Sequence, residues 1–191
     1  MEEDYTADKF FDKIDFTAAP LNKGTYENCS FTGCDFSGSG LAEYQFIDCR
    51  FVDCNLTLAD LSMTTLNNID FINCKMIGLR FDTCNQFALS INFDSCSLND
   101  SSFYKIKLKK PVFRNCKLNN TDLTECDLSG SVFDNCDFSG AIFDRTIIEN
   151  SDLRTSYNYI IDPENNRIKK ARFSGHNIAG LLSKYDIQIE D

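Results

Sequence analysis

The chain has 191 residues, with 29 acidic against 19 basic side chains, ten cysteines, seventeen phenylalanines and one histidine, and this size favours a single domain. Its net charge of −10 argues against direct binding to nucleic acid or to anionic lipid, and no apolar run is long enough to cross a bilayer. The N-terminal segment MEEDYTADKFFDK lacks the basic and apolar regions of a signal peptide, so we expect a cytoplasmic protein with reduced cysteines.

Large apolar residues recur every five positions along most of the chain. The series begins with Phe11, Phe16, Leu21, Tyr26, Phe31, Phe36, Leu41, Phe46, Phe51, Leu56, Leu61, Leu66, Phe71, Met76 and Phe81. It shifts by two residues within the segment NQFALSIN and resumes at Phe93, Leu98, Phe103, Leu108, Phe113, Leu118, Leu123, Leu128, Phe133, Phe138, Phe143, Ile148 and Leu153. A period of five matches neither a helix nor a simple strand, so we expect the chain to turn once per unit.

A second period of twenty residues shows how many units make one turn of the coil. Phe11, Phe31, Phe51 and Phe71 are spaced by 20, and Phe93, Phe113 and Phe133 continue this column after the two-residue shift. A second column with the same spacing and the same shift is formed by Cys34, Cys54, Cys74, Cys96, Cys116 and Cys136. Four sides therefore form one coil, and we expect successive coils to stack at the ~4.8 Å spacing of neighbouring strands.

Small residues and glycines occupy fixed places in each five-residue unit. Nine of the ten cysteines lie two positions before a large apolar centre, Cys84 lies just before the two-residue shift, and Ala, Ser or Thr fill most of the other units there. We expect this residue to point inward beside the large one. Five of the nine glycines, Gly33, Gly38, Gly78, Gly130 and Gly140, lie two positions after a centre, where a corner with positive φ would favour them.

The unit, a small residue, then Asp or Asn, then Leu or Phe, then two polar residues, covers residues 10–155 and resembles the pentapeptide repeat family. The resemblance implies an all-β fold, a right-handed quadrilateral parallel β-helix or solenoid. We assign residues 1–155 to this β-helix with its N-terminal cap. We expect residues 156–191 to form a C-terminal cap and dimerisation segment.

The repeat ends after Leu153, and the last part of the chain has a different pattern. Ser174 can cap a short helix over residues 176–185, followed by a strand over residues 186–190. The apolar positions of this segment lie on one stripe of the helix and alternate along the strand. The residues predicted to form a dimer interface are Ile178, Leu181, Leu182, Tyr185, Ile187 and Ile189.

Two interpretations of this tail are open. A solenoid end needs covering, so the tail could act as a lid on a monomer. The sequences IDP, KKARFS and GLL are also similar to the tail of the Qnr-type quinolone-resistance members of the family. That resemblance implies a homodimer joined end to end into a rod, and we favour it.

Catalytic and metal-binding chemistry is not indicated by the residues. His176 is the one histidine, no Ser/His/Asp or Cys/His arrangement can be assembled without it, and no phosphate-binding glycine loop is present. The cysteine column could offer thiolates to a metal, but small buried core residues explain it better. We therefore expect no enzyme activity, no metal and no cofactor.

Charge is distributed unevenly along the chain. Residues 1–60 carry 12 acids against 4 bases, residues 61–120 carry 4 against 8, and residues 121–191 carry 13 against 7. A basic belt contains Lys105, Lys107, Lys109, Lys110, Arg114 and Lys117. Several acids lie near the expected two-fold axis of the homodimer. In addition to Glu125 they are Asp122, Asp127, Asp134, Asp137, Asp144, Glu149 and Asp152. We expect them to form an acidic saddle that binds a partner.

The family resemblance implies the identity of that partner. Such a rod would imitate duplex DNA, occupy the DNA-binding saddle of DNA gyrase or topoisomerase IV, and modulate the enzyme or protect it against quinolones. The insertion near residues 86–92 is too short for the projecting loops of some members, which leaves protection and inhibition open. The alternative is a protein-binding scaffold unrelated to topoisomerases, with Val52, Ile72 and Ile77 as an exposed apolar strip.

Overall fold

The computed structural model describes residues 4–87 and 89–190, and within these ranges the chain forms short strands and 3₁₀ turns. The strands are β1 (Asp4–Ala7), β2 (Phe10–Asp12), β3 (Gly24–Glu27), β4 (Ser30–Thr32), β5 (Gln45–Ile47), β6 (Arg50–Val52), β7 (Thr65–Asn67), β8 (Ile69–Ile72), β9 (Ile91–Asp94), β10 (Val112–Arg114) and β11 (Val132–Asp134). The 3₁₀ segments are η1 (Phe81–Thr83), η2 (Gly175–Leu181) and η3 (Ser183–Tyr185).

The strands form two parallel sheets on neighbouring sides of a coil. One sheet has seven strands in the order β11-β10-β9-β8-β6-β4-β2, and the other has four in the order β1-β3-β5-β7. Most partner residues are 20 positions apart, as in Phe31 with Phe51, and isolated parallel bridges such as Asp15 with Asp35 connect the other sides. The predicted four-sided parallel β-helix is thus confirmed.

We number the four sides of the β-helix by their buried centres. Face 1 carries Phe11, Phe31, Phe51, Phe71, Phe93, Phe113 and Phe133. Face 2 carries Phe16, Phe36, Leu56, Met76, Leu98, Leu118 and Phe138, and face 3 carries Leu21, Leu41, Leu61, Phe81, Phe103, Leu123 and Phe143. Face 4 carries Tyr26, Phe46, Leu66, Leu108, Leu128 and Ile148. On each face, the residues directly before and after a centre point outward.

The two-residue shift is confined to one side of one coil. Phe51 pairs with Phe71 at a spacing of 20, Phe71 pairs with Phe93 at 22, and Phe93 pairs with Phe113 at 20 again. Leu89 is buried and the Ser90 N–H donates to the Leu66 carbonyl, which places the insertion on face 4. The predicted shift is therefore confirmed.

Aromatic rings stack along the axis of face 1 and fill the core. Ring centroids lie 4.7 Å apart from Phe31 to Phe51 and 4.9 Å apart from Phe113 to Phe133, with interplanar angles below 20°. Rings on neighbouring faces meet edge to face, as in Phe31 with Phe36 at 5.6 Å. Both arrangements are favoured by the aromatic quadrupole, so the column adds specific contacts to the burial of apolar surface.

The ten cysteines are buried with free thiols, which confirms their inward direction. The polar group at this position bonds to the coil below: the Cys54 thiol donates to the Phe31 carbonyl at 3.3 Å and the Thr64 hydroxyl to the Leu41 carbonyl at 2.7 Å. The first coil departs from the pattern, because Ala19 is exposed. Where this inward residue is Cys, Ser or Thr, it fills space and can also satisfy a backbone acceptor.

The corners adopt the left-handed conformation that the glycines indicated. The five predicted corner glycines have φ between 61° and 72°. Many other corners use Asn or Asp, which tolerate this region better than most residues. Their side chains bond from coil to coil, as in Asn68 Nδ2 to Asp48 Oδ1 at 2.6 Å and Asn120 to Asp100 at 3.1 Å.

The C-terminal tail differs from its predicted structure. Ser174 caps the turn as expected, since its Oγ accepts from the His176 N–H at 3.1 Å. The predicted short helix over 176–185 is present as two 3₁₀ segments, η2 and η3, separated by Leu182. The predicted strand over residues 186–190 is wrong, because these residues are exposed and have no neighbouring strand with which to pair.

Candidate functional site

The acids predicted to form one saddle lie on all four faces of the β-helix. Asp122 and Asp144 are on face 3, Asp127 and Glu149 on face 4, Asp134 and Asp152 on face 1, and Asp137 on face 2. The structure thus brings them together only in pairs. A partner contacting one side of the rod would meet at most two of them per subunit.

Four of these carboxylates are neutralised within the chain. The ion pairs are Asp127 with Lys107 at 3.3 Å, Asp144 with Arg145 at 3.0 Å, Glu149 with Arg167 at 3.0 Å, and Asp152 with Arg154 at 2.8 Å and Arg172 at 2.7 Å. Exposed ion pairs add little stability, but they reduce the charge that a partner meets. In the described ranges Asp122, Asp134 and Asp137 have no ion pair.

The basic belt takes part in ladders of alternating charge. At the corner between faces 3 and 4, Glu125 lies between Lys105, at 3.4 Å, and Arg145, at 2.9 Å. These residues are 20 positions apart, which is one coil. The hydrogen bond from Arg145, with help from Lys105, lowers the pKa of Glu125. At this corner, the alternation of acids and bases therefore pairs charges within the chain.

The Asp of each repeat also has a structural role. The Asp127 carboxylate accepts from the Ser129 backbone N–H at 3.1 Å, and Asp122 and Asp137 accept in the same way from the residues two positions later. Burial alone would raise the pKa of Asp137, but hydrogen bonds from Ser139 and Asn158 outweigh it and lower the pKa. The Asp or Asn preference of the repeat thus supports the local turn.

Face 3 is the most acidic side of the rod. Its outward positions carry Asp60, Asp82, Asp122 and Asp144 against the single base Arg80. Arg80 pairs with Asp82 at 2.6 Å, which leaves Asp60 and Asp122 without an ion pair among the residues that the structure describes. Asp60 and Asp82 were absent from the predicted site, although their place in the period of twenty assigns them to this face.

The C-terminal tail covers the end of the last coil. The Ile161 N–H donates to the Gly180 carbonyl at 2.9 Å, and Asn177 Nδ2 donates to the Ser156 carbonyl at 3.1 Å. Leu181 is buried at 8% exposure. Lys184 lies 2.8 Å from Asp162 and fastens the last 3₁₀ turn. These contacts support the interpretation of the tail as a lid.

The tip of the tail still exposes apolar side chains. Ile178, Tyr185, Ile187 and Ile189 are 38%, 51%, 56% and 51% exposed, and Ile160 on the adjacent loop is 64% exposed. Of the six predicted interface residues, Leu181 and the half-buried Leu182 therefore serve packing within the chain. The other four remain free to contact a second subunit.

No cluster of metal-binding groups occurs in the described parts of the chain. There, no three His, Cys, Asp or Glu side chains are placed to hold a metal ion, and His176 is exposed. Burial raises the pKa of Cys49 to about 11 and that of Cys84 to about 12, so these thiols are protonated near neutral pH. Thiols in that state are poor nucleophiles.

The molecule is therefore a β-solenoid that presents its chemistry on flat outer faces. A family model described as the pentapeptide repeat region matches residues 24–92 and 89–173. The chain belongs to the pentapeptide repeat family. Within residues 4–87 and 89–190, no helix has the length and apolar character needed to span a membrane.

Solved structures with the same fold include proteins of different roles. Full-length QnrB1, a plasmid-mediated fluoroquinolone resistance protein, is 19% identical with a TM-score of 0.54, covering 96% of this chain and 99% of that one. HetL, involved in heterocyst differentiation regulation in the cyanobacterium Nostoc sp. strain PCC 7120, is 12% identical with a TM-score of 0.54, covering 89% and 86%. No curated protein matches. At these identities the likeness shows the fold alone.

Proposed function

We propose that this protein is a DNA-mimicking regulator that binds DNA gyrase, and topoisomerase IV, through the acidic side of its rod. The observation that carries the proposal is the acidic outer surface of face 3, which carries Asp60, Asp82, Asp122 and Asp144. A rigid rod with negative charge along one side fits a groove that normally holds duplex DNA. The QnrB1 fold over nearly the whole chain is consistent with it.

Shape must contribute more than charge to this mimicry. The seven-stranded sheet on face 1 spans about 30 Å at ~4.8 Å per strand. Duplex DNA of that length carries roughly 18 negative charges. The whole chain has a net charge of −10, and several of its acids are paired internally. Because its charge density is lower than that of DNA, the rod would have to mimic DNA mainly through its shape.

The proposed active form is a homodimer joined through the C-terminal tips. The exposed side chains Ile178, Tyr185, Ile187 and Ile189 would meet their counterparts around a two-fold axis. Residues 156–191 would then act as lid and dimerisation segment together. This arrangement doubles the rod and places Asp122 and Asp144 of both subunits near the dyad.

Binding to purified gyrase tests the proposal. The double variant Asp122→Asn with Asp144→Asn removes two charges from face 3, and we expect its dissociation constant to rise about tenfold. The matched control, Asp94→Asn with Asp134→Asn, removes two charges from face 1 and should bind normally. Absence of wild-type binding at low salt would refute the proposal. Equal losses in both variants would show that net charge, and not face 3, determines binding.

A supercoiling assay then shows the consequence of binding. Wild-type protein titrated into gyrase should slow supercoiling if it competes with DNA. The same titration in the presence of a fluoroquinolone should restore supercoiling if the protein protects the enzyme. The two readouts separate inhibition from protection in one experiment.

A scaffold role unrelated to topoisomerases is the second candidate. Val52 and Ile72 are register partners on β6 and β8 and form an apolar pair on face 1. Ile77 follows a centre of face 2 and so lies outside this strip. The variant Val52→Asp with Ile72→Asp separates the candidates, because it should leave gyrase binding through face 3 intact.

A further inference from the structure

Face 1 presents two columns of outward residues on the longest sheet of the protein. Along the coils from β2 to β10, the column before each centre contains Phe10, Ser30, Arg50, Asp70, Asn92 and Val112. The column after each centre contains Asp12, Thr32, Val52, Ile72, Asp94 and Arg114. Charged, polar and apolar positions therefore alternate over six coils.

The charges on this surface are not matched within the chain. Arg50 and Asp70 are register partners on adjacent strands, yet no ion pair joins them. Among the residues that the structure describes, Asp12 and Arg114 also lack an ion pair. Phe10 is 67% exposed at the end of the surface. Face 1 thus has both free charge and exposed apolar area.

We propose that face 1 docks against face 1 of a second copy of this chain, with the two rods antiparallel. The two-fold axis runs parallel to the strands and passes between β6 and β8. With this axis, the column before the centres in one copy faces the same column in the other copy, and so does the column after the centres. The order of the coils is reversed between the two copies. A coil at a given distance on one side of the axis then meets the coil at the same distance on the other side.

All six resulting contacts are complementary in chemistry. Each first residue faces the second residue of the other copy in the pairs Arg50–Asp70, Asp12–Arg114, Val52–Ile72, Phe10–Val112, Ser30–Asn92 and Thr32–Asp94. Two pairs join opposite charges, two are apolar, and two can form hydrogen bonds. Because the contact is symmetric, each pair occurs twice. Electrostatic complementarity of this kind fixes the register of an interface.

Neighbouring registers lack this match. An axis between β4 and β6 would place Phe10 against Asp70, and an axis between β8 and β9 would place Val52 against Arg114. A two-fold axis along the rod would place Arg50 against Val52. Each of these would oppose a charge with an apolar side chain, which leaves that charge desolvated without a partner.

One other register also brings opposite charges together, but its arginines already form ion pairs within the chain. An axis between β10 and β11 would pair Asp94 with Arg154 and Asp70 with Arg172. Arg154 and Arg172 both bind Asp152 within the chain, at 2.8 and 2.7 Å. The register between β6 and β8 instead uses charges that lack ion pairs, so it is favoured.

The proposed interface buries a small area, so we expect it to be weak. Six coils at ~4.8 Å and strands of three residues give roughly 300 to 450 Å² per copy. Stable complexes bury about 800 Å² per partner, so this interface belongs to the weak, transient class. We expect association at roughly 0.1 to 1 mM protein and a loss of association at high salt.

A charge exchange between separate molecules tests the register. Asp12 and Arg114 lie five coils apart, about 24 Å along one chain, so they can couple only across two copies. In a dimer of the Asp12→Arg variant, an arginine at position 12 faces Arg114 of the other copy at two places. In a dimer of the Arg114→Asp variant, Asp12 likewise faces an aspartate at position 114 at two places. Each variant alone should associate about tenfold more weakly. An equimolar mixture restores both attractive contacts and should associate like the unmodified protein.

Sedimentation velocity at low salt, up to about 1 mM, gives the readout. All proteins carry Ile187→Asp, which removes the proposed contact through the C-terminal tips, and urea melts confirm equal folding. The inference is overturned if the protein with an unmodified face 1 stays monomeric. It is also overturned if the equimolar mixture associates no more strongly than the two variants do separately. Restoration by Arg114→Asp with Asp134→Arg in one chain would assign the other register and overturn this one.

Discussion

The Cys49 thiol donates a hydrogen bond to the Tyr26 carbonyl oxygen, 23 residues earlier, with an Sγ–O distance of 3.3 Å. Cys74 and Phe51 repeat the same relationship at 3.4 Å. The thiol is small enough to fit beside the large centre and can still donate to the coil below. This is why cysteine recurs two positions before the centre, in alternation with Ser and Thr.

Stability should fall at alkaline pH because of these thiols. Burial raises the pKa of Cys49 to about 11. The thiol of the unfolded chain ionises near pH 8.5, so between these values the folded state binds more protons than the unfolded state. The stabilising contribution is complete below pH ~8.5 and decreases as the pH rises to about 11. Cys49 alone contributes a slope of about 1.4 kcal/mol per pH unit.

The variant Cys49→Ser isolates that slope. Serine keeps a donor for the Tyr26 carbonyl but does not titrate in this range. Urea unfolding of both proteins at pH ~7.5, ~9 and ~10 should show a shallower decline for the variant. Identical declines would contradict the assignment of Cys49 to the buried core.

All ten thiols should react slowly in the native protein. Each cysteine is buried, at 4% exposure or less. A thiol reagent such as an aromatic disulfide should label them completely in denaturant and over hours without it. Rapid native labelling of several thiols would require coils that open far more often than this packing permits.

Removing one ring from the aromatic column should be costly. Phe113 is fully buried and lies between Phe93 and Phe133, with centroids 5.0 and 4.9 Å away. Phe113→Ala should lower the free energy of unfolding by about 3 to 5 kcal/mol. The matched control Lys117→Ala changes an exposed side chain without an ion pair in the described ranges and should cost less than about 0.5 kcal/mol. Urea melts measure both values, and a similar small loss would contradict the inward register.

The sequence predicted the solenoid well because each five-residue side admits one large inward residue. Even the shift at NQFALSIN was visible, since Phe93 resumes the column of Phe71. The division of acids among faces was also encoded, because position within the period of twenty assigns Asp122 and Asp134 to different sides. Ion pairs one coil apart, such as Lys107 with Asp127, follow from the same count.

The tail was not predictable in this way. It has no repeat, and its conformation depends on contacts with the last coil, such as the Asn177 side chain on the Ser156 carbonyl. Its apolar spacing suits an α-helix, yet Gly175 and Gly180 weaken that preference and the chain forms 3₁₀ turns. Leu181 belongs to the same stripe as Tyr185, but only contact with the coil decides that Leu181 is buried.

Gly180 should be essential for the packing of the C-terminal tail against the last coil. A Cβ at this position would lie 2.1 Å from the Tyr159 carbonyl oxygen, whereas one at Gly175 would meet nothing within 4 Å. We expect Gly180→Ala to displace the tail and cost about 2 kcal/mol or more, and Gly175→Ala to change stability by less than about 0.5 kcal/mol. Thermal melts and limited proteolysis of the tail would compare them. Equal protease resistance in both would argue against the lid.

Dimerisation is best tested at Ile187. This side chain is 56% exposed, so Ile187→Asp should leave the monomer folded and abolish the proposed contact between tips. Leu181→Asp is less suitable, because at 8% exposure it would place a charge inside the lid. The control Leu58→Asp alters an apolar residue far from the tip that is 67% exposed.

Light scattering and gyrase binding are measured for both variants, Ile187→Asp and Leu58→Asp. Ile187→Asp should be monomeric and bind gyrase more weakly, while Leu58→Asp should behave as the wild type. A monomeric variant that still binds gyrase fully would show that the doubled rod is unnecessary. A wild type that is already monomeric would remove the end-to-end model.

The insertion on face 4 marks a place where the protein tolerates added length. Pairing across it changes from 20 to 22 residues and returns to 20 one coil later, so the disturbance does not propagate. Phe87 is 83% exposed at this point. A foreign peptide grafted directly after Phe87 would project from the rod while both flanking coils keep their hydrogen bonds. The solenoid is thus a rigid display frame, on which an epitope or affinity tag can be held at a known height along the axis.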